Sequence, residues 1–311
     1  MEKTFPKCAV IVVTYNGKKE WYDKCFQSLF SSSVSLEVIV VDNKSTDDSL
    51  AYITNNYPQV KLIQNNANLG FAQANNVGFN IALSDGNDYF FLLNQDAWIE
   101  YNTIEILILT AEKNKEFGIL TPIHLTADKK SFDRGFRNSF NARSDTAYAY
   151  ENLYLNKQPI VYETIEVPAA AWLITRKCVE IVGGFDTILF KHYGEDNNYS
   201  QRVSFHNLKM GIVPSVTMCH DRNFRTDKPF DMNIIYAITW GNILMTKRMR
   251  VKHLFSIFLK IILVKRVSGG IKEILFVAAN LKKIVRSINT NKVKGGGLKH
   301  IVECTTIEPR N

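Results

Sequence analysis

The chain has 311 residues, 46% hydrophobic and 22% charged, a composition that suits one large α/β domain with an appendage, or two domains. Its five cysteines (Cys8, Cys25, Cys178, Cys219 and Cys304) are odd in number and lack paired metal-type spacing; Cys8, Cys178 and Cys219 lie in apolar contexts and read as small core residues, and a reducing compartment is expected. The formal charge of +8 is uneven: residues 231–311 hold fifteen Lys and Arg against four Asp and Glu, a net +11, which leaves the first 230 residues at −3 and assigns the basic excess to an attachment surface.

In chain order, Cys8–Thr14 is a β-branched run that predicts a strand, with no apolar leader before it, so secretion is not expected. Trp21–Phe30 spaces its apolar residues as a helix does and ends in a serine cluster. Leu36–Val41 predicts a second strand, Ser49–Asn55 a short helix, Val60–Gln64 a third strand, and Phe71–Leu83 a helix with small residues on one side. Phe90–Leu93 is the fourth strand and Ile104–Lys113 another helix. Strand and helix alternate through this first third of the chain, the pattern of a mostly parallel central sheet flanked by helices.

The rhythm breaks at Thr126–Asn156, a polar stretch rich in Asn, Arg, Asp and Tyr that reads as a lid or acceptor loop, because structure resumes after it. Val161–Pro168 and Ala169–Arg176 predict strands, Glu195–Phe205 a helix, and Gly211–Cys219 a last strand. Beyond Phe230, the segments Ile234–Leu244, His253–Val264 and Ile271–Ile284 are apolar but laced with Lys and Arg. None has the uninterrupted run of roughly 20 apolar residues that a spanning helix needs. They suit basic amphipathic helices lying on a membrane, or a helical subdomain packed on the core. The expected division is residues 1–230 as the α/β domain and 231–311 as a basic, membrane-associating helical region.

The chemistry starts at Tyr89–Ala97, a buried strand that runs straight into an acid, Asp96, with Asn94 two positions earlier. Open α/β sheets bind ligands at the carboxyl ends of their strands, and a carboxylate there can hold a divalent cation against a diphosphate. Thr14-Tyr15-Asn16-Gly17 ends the first strand in small polar groups and exposed backbone. Asp42 follows the second strand directly, where it can accept hydrogen bonds from a base or ribose, or cap a helix. Asn65–Gly78 sets Asn and Gln at a helix start, suited to bonding a sugar or nucleotide, with Gly70 allowing a tight turn. Neither the dinucleotide nor the P-loop type of glycine-rich phosphate loop is present, which lowers the dehydrogenase and NTPase readings.

Four blocks over residues 7–225, each weak alone and strong in this order and spacing, resemble the inverting family 2 glycosyltransferases of the GT-A fold, in particular the rhamnosyltransferase-like branch. They are Val10–Asn16, Val40–Asp47, Asn68–Asn76 and Leu93–Ala97, the last standing where the family has its DxD motif. The resemblance implies donor contacts from Thr14, Tyr15, Asn16, Asp42, Asn68, Gly70, Gln73, Asn94, Gln95 and Asp96. It also implies a divalent cation, Mn or Mg, on Asp96 with His220 as a second ligand. One departure matters: Asn94 replaces the first acid of DxD, so only Asp96 brings charge there. An imidazole ligand favours Mn over Mg. Pro168–Ile174 is similar to the family's small-residue strand below the acceptor, Gly183–Asp186 to its turn, and Tyr193–Asp196 to its acidic pair. By that resemblance Asp196 is the catalytic base and Glu195 supports it or binds the acceptor. Trp172 is either an acceptor platform or a core residue. Arg202 is placed for a phosphate or a salt bridge, and Arg222 and Arg225 for the diphosphate.

The expected protein is a cytoplasmic hexosyltransferase, peripheral on the inner face of the cell membrane. It would use dTDP-rhamnose or a UDP-hexose to extend a glycan or lipid-linked glycan in surface polysaccharide biosynthesis. Two rivals are a sugar-nucleotide-binding protein without catalysis, for which Asn94 is the hint, and a nucleic-acid binder using the basic tail. The second has few aromatic platforms suited to base stacking.

Overall fold

The computed structural model describes residues 5–137, 139, 148–190, 193–222 and 266–302. Its first part follows the expected rhythm: β1 (Cys8–Thr14), α1 (Lys19–Phe30), β2 (Glu37–Asp42), α2 (Ser49–Asn56), β3 (Lys61–Gln64), α3 (Gly70–Ser84) and β4 (Tyr89–Asn94). The strands β3, β2, β1 and β4 lie side by side and parallel. Continuous apolar runs suit them because both faces are covered. Side chains alternate along β1, so Ala9 and Ile11 join one core layer while Cys8, Val10 and Val12 join the other. The small residues of α3 serve close packing: a Cβ on Gly78 would fall 2.4 Å from Cγ2 of Ile11.

The chain continues through β5 (Ala97–Ile99), α4 (Thr103–Lys113), β6 (Phe117–Thr126), α5 (Arg134–Arg137), α6 (Ala149–Tyr154), β7 (Tyr162–Thr164), β8 (Ala171–Thr175), α7 (Arg176–Val182), α8 (Glu195–Phe205) and β9 (Lys209–His220). These strands extend one nine-stranded sheet in the order β3-β2-β1-β4-β8-β6-β9-β5, with β7 against β9. Beyond β4 the pairing is mixed: β8 runs antiparallel between β4 and β6, while β6 and β9 are parallel.

Sequence patterning misses β5, β6 and α7. Pro122 disguises β6, because proline inside a run argues against a central strand; here it sits at a register shift between Pro122 and Ile123 that absorbs it. The short α7 starts on a local cap, Thr175 Oγ1 accepting from the Cys178 amide. The expected strand over Val161–Pro168 contracts to the three residues of β7. Within the expected loop Thr126–Asn156, residues 138 and 140–147 lie outside the described residues, and α5 and α6 flank them.

Two more helices follow, α9 (Arg266–Lys292) and α10 (Leu298–Val302). The segments 234–244 and 253–264 lie outside the described residues, while 271–284 falls within α9. Among the described residues no helix is long and apolar enough to cross a membrane. The contact of α9 and α10 with the core is partly apolar, Ile301 joining one core layer, and partly a buried polar network. Asp186, fully buried, accepts from the amides of Ile188 and Leu189, from Asn291 Nδ2 at 2.6 Å and from the Ser287 hydroxyl. Burial pushes this carboxyl up, but His300, Ser287, Arg202 and Asn291 together hold it below the usual carboxylate range. His206 Nε2 meets Asn291 O at 2.8 Å, and Asn76 Nδ2 donates to His300 O at 3.3 Å.

Candidate active site

The carboxyl ends of β1, β2 and β4 meet at one edge, where Thr14 pairs in register with Asp42, and Val13 with Asn94. Two hydrogen-bonded links stitch the loops above them. Gln95 Oε1 accepts from the Tyr15 amide at 3.0 Å and Gln95 Nε2 donates to Tyr15 O at 3.2 Å. Asn16, at φ +46°, accepts from the Thr46 amide at 2.8 Å through its side chain. Asp42 is fully buried, accepting from Ser45 Oγ at 2.5 Å, the Ser45 amide at 3.0 Å and Thr14 Oγ1 at 3.3 Å. It therefore shapes the turn that carries Ser45 and Thr46, and Tyr15 and Asn16 are the exposed groups of this corner.

The next loop is fixed from below. Asn43 Oδ1 accepts from the Leu69 amide at 3.1 Å and its Nδ2 donates to Gly70 O at 3.2 Å. Asn68 Oδ1 accepts from the Gly70 amide at 3.0 Å, and Gly70 takes the φ of +79° that glycine adopts without strain. Asn68 is exposed and Gln73 half-buried at this rim.

Asp96 and His220 come together because β5 pairs with β9 and puts Ala97 opposite His220. His220 Nε2 lies 3.1 Å from Asp96 Oδ1 and 3.4 Å from Asn94 Nδ2, and both Asp96 and His220 are buried. On the other side of the ring, Arg222 Nε donates to Nδ1 at 3.1 Å and lies 3.1 Å from Asp133 Oδ2 in an ion pair. Asp133 caps α5, its Oδ1 accepting from the Gly135 and Phe136 amides at 2.9 and 3.1 Å. His124, buried behind this group, is held well below the usual imidazole range by burial and by the neighbouring His220 and Arg222.

Would these residues fit a divalent cation? Adjacent ligands of an octahedral ion at about 2.1 Å lie roughly 3 Å apart, and the Asp96–His220 pair is 3.1 Å apart. Turning the Asn94 amide over would bring its oxygen, in place of its nitrogen, toward the same point. Among the described residues no cluster of three His, Cys, Asp or Glu is arranged to hold a metal. The pair fits a cation whose remaining ligands come from the amide oxygen, water and the diphosphate.

The acidic pair lies on the same edge. Leu93 pairs with Ala171, the Asn94 amide donates to Ala170 O at 3.1 Å, and the Ala169 amide bonds the Asp196 carboxylate. Gly194, at φ +86°, turns the chain into α8 so that Glu195 and Asp196 form its first turn. Asp196 Oδ1 also accepts from the Asn197 amide at 2.8 Å. Burial raises its carboxyl despite these bonds, and Glu166 nearby adds to the rise. Burial and then Asp196 push Glu195 up to about 7. Glu195 Oε2 and Asn198 Oδ1, one turn apart on α8, are buried without a hydrogen-bond partner.

Two residues with open roles are placed away from the ligand. Trp172 is fully buried on β8 against Phe185 and Tyr199, ring centroids 6.3 and 6.0 Å away, so it is core and not an acceptor platform. Arg202 is fully buried, donating to Gly184 O at 2.7 Å and to Val182 O, so it braces the turn before α8 and does not reach phosphate. Arg225 lies outside the described residues. The pattern reading missed Asp133; the only trace of it is an acid just before a short helical turn. Two hollows of about 710 and 690 Å³ flank Phe5–Lys7 at the opposite end of β1, away from this chemistry.

The family model described as Glycosyl transferase family 2 matches residues 9–170. The chain belongs to this family. It is similar to the dTDP-rhamnosyl transferase RfbF of Shigella flexneri, 24% identical over 227 residues that cover 72% of each chain. It is also similar to the N-acetylglucosaminyl-diphospho-decaprenol L-rhamnosyltransferase of Mycobacterium tuberculosis, 26% identical over 70% of this chain and 77% of that one. Among solved structures, GalNAc-T7 with UDP, GalNAc and Mn2+ superposes with a TM-score of 0.60 at 16% identity, over 78% of this chain and 50% of that one. S. aureus TarS 1–349 in complex with UDP does so with a TM-score of 0.53 at 15% identity, over 79% and 68%. The chain thus spans half of the GalNAc-T7 chain, and both likenesses concern the fold, which is GT-A. The glycosyltransferase reading of the four sequence blocks holds, with rhamnosyltransferases among the relatives.

Proposed function

We propose that this protein transfers a hexose, with inversion, from a nucleoside-diphosphate donor to a hydroxyl of a glycan or lipid-linked glycan in surface polysaccharide synthesis. A dTDP-linked deoxyhexose such as rhamnose is the preferred donor, and a UDP-hexose is the alternative. The observation that carries the reading is the convergence of two carboxylate sites on one sheet edge, Asp96 with His220 at the end of β4 and Asp196 against the Ala169 amide. Asp196 takes the proton of the acceptor hydroxyl as its oxygen attacks the anomeric carbon, and the bond from that carbon to the diphosphate breaks with both electrons leaving on oxygen. Glu195, beside it on the first turn of α8, offers its buried, unpartnered Oε2 to an acceptor hydroxyl. Asp96, His220 and Asn94 would hold Mn or Mg, which supplies positive charge to the departing diphosphate. Tyr15, Asn16, Asn68 and Gln73 line the rim where the nucleoside would bind. We place the protein in the cytoplasm, peripheral on the inner face of the membrane, with residues 1–230 doing the chemistry and 231–311 attaching them.

The test is stabilisation of the purified protein by UDP, dTDP, GDP and CMP, each with and without Mn. A ligand that binds the native state raises its melting temperature according to ligand excess over Kd. A rise with dTDP or UDP that grows with Mn supports the reading and selects the nucleotide. No rise with any of the four would sink it.

A further inference from the structure

The helix α9 has three different sides. Val277, Ile284, Ser287 and Asn291 are buried, and the last two bond Asp186. Away from that side, Ile271, Leu275, Leu281 and Val285 are 49%, 63%, 53% and 47% exposed. At 3.6 residues per turn these four fall on one stripe about a third of the helix circumference wide. The exposed Lys272, Lys283 and Arg286 form the adjoining stripe, and exposed Lys282 falls at its border with the apolar one, between Ile271 and Leu275. Over the whole of Arg266–Lys292, six basic residues stand against one acid, Glu273.

Exposed leucine and isoleucine beside lysine describe a surface that is apolar and anion-seeking at once. A bilayer of anionic lipid offers both chemistries at the same depth: hydrocarbon for the apolar stripe, and phosphate for ammonium groups on flexible stems. A protein partner would need an apolar groove with an acidic rim on one side only.

We propose that this face of α9 lies on an anionic lipid surface, while the opposite face is fastened through Ser287 and Asn291 to Asp186, just before α8. The inference rests on the proposed transfer to a membrane-carried acceptor, and adds the surface that seats the catalytic domain there.

Flotation of the full chain tests it, using vesicles of phosphatidylcholine alone and of phosphatidylcholine mixed equally with phosphatidylglycerol. The wild type is expected to float with the mixed vesicles only, less so as salt rises. Leu275→Asp with Leu281→Asp should cut the bound fraction at least about tenfold, and so should Lys272→Glu, Lys282→Glu and Lys283→Glu together. All these positions are exposed, so the melting temperature and its rise with dTDP or UDP should stay as in the wild type. Wild type that ignores the mixed vesicles overturns the proposal even if nucleotide binding is intact, and so do variants that float normally. A wild-type dimer that Leu275→Asp converts to monomer assigns the stripe to a second copy instead. Loss of nucleotide stabilisation in wild type strikes the transferase reading and leaves the flotation result standing.

Discussion

Arg222 fixes the tautomer of His220. A guanidinium donates and has no lone pair to offer, so with Arg222 Nε 3.1 Å away, Nδ1 must accept. The ring proton is then on Nε2, facing Asp96 Oδ1 at 3.1 Å. A cation on Nε2 requires that proton to leave. Asp133 Oδ2, 3.7 Å from Nδ1, is the carboxylate placed to receive a proton relocated to that nitrogen. Arg222 and a cation therefore compete for one ring. Arg222→Gln should tighten Mn binding to the nucleotide-free protein several-fold, and nitrogen NMR of the imidazole should show the proton moving to Nδ1. Weaker Mn binding in that variant would refute the competition.

Asp96→Ala removes the single acid at the end of β4. Binding of the nucleoside diphosphate with Mn should fall roughly tenfold to a hundredfold, the worth of one charged contact. Titration calorimetry with and without Mn checks this, and unchanged affinity in both would exclude Asp96 from the donor site.

Asp196→Asn keeps the shape of the side chain and removes its basicity. Transfer should drop by about a hundredfold to ten-thousandfold, while the nucleotide-induced rise in melting temperature stays within error of wild type. Normal turnover would move the base elsewhere, and Glu195→Gln is then the variant to assay.

Glu195 gives a pH signature of its own. Its folded pKa, raised to about 7, exceeds the unfolded value near 4.5, so its favourable contribution is complete below about pH 4.5 and is lost as pH rises through 7. Glu195→Gln should gain stability over wild type across that window, on the order of 3 kcal/mol by pH 8. Denaturant unfolding at pH 5 and pH 8 measures it; a difference independent of pH would show that Glu195 is not held protonated.

Asn291→Ala strips a donor from the buried Asp186. It should cost about 2 kcal/mol and make α9 easier to cleave in limited proteolysis. Leu281→Ala on the exposed side of the same helix should stay within about 0.5 kcal/mol of wild type. Equal effects would mean that the Asp186 contacts do not fasten α9.

Much of this was legible in the sequence because the signals were local. The strand ends at Thr14, Asp42 and Asp96 follow from apolar runs that stop at a polar residue, and α8 was read over Glu195–Phe205 as it stands. The rest depends on partners far along the chain. The choices left open for Trp172, acceptor platform or core, and for Arg202, phosphate or salt bridge, need Phe185, Tyr199 and the carbonyls of Val182 and Gly184 to be decided, and a sequence does not show that these enclose them. Ser287, Asn291 and His300 look like polar residues of a solvated helix until Asp186 is seen among them. Asp133 escaped for the same reason: its partners His220 and Arg222 come from the end of β9, across the sheet.

The polar fastening at Asp186 also bears on the order in which the protein is made. Ser287 and Asn291 leave the ribosome long after α8. Until they arrive, Asp186 lacks two of its donors, and the turn that leads to Glu195 and Asp196 is incompletely held. A nascent chain would thus pair its first strands well before the contacts that hold the segment ahead of its acidic pair are complete.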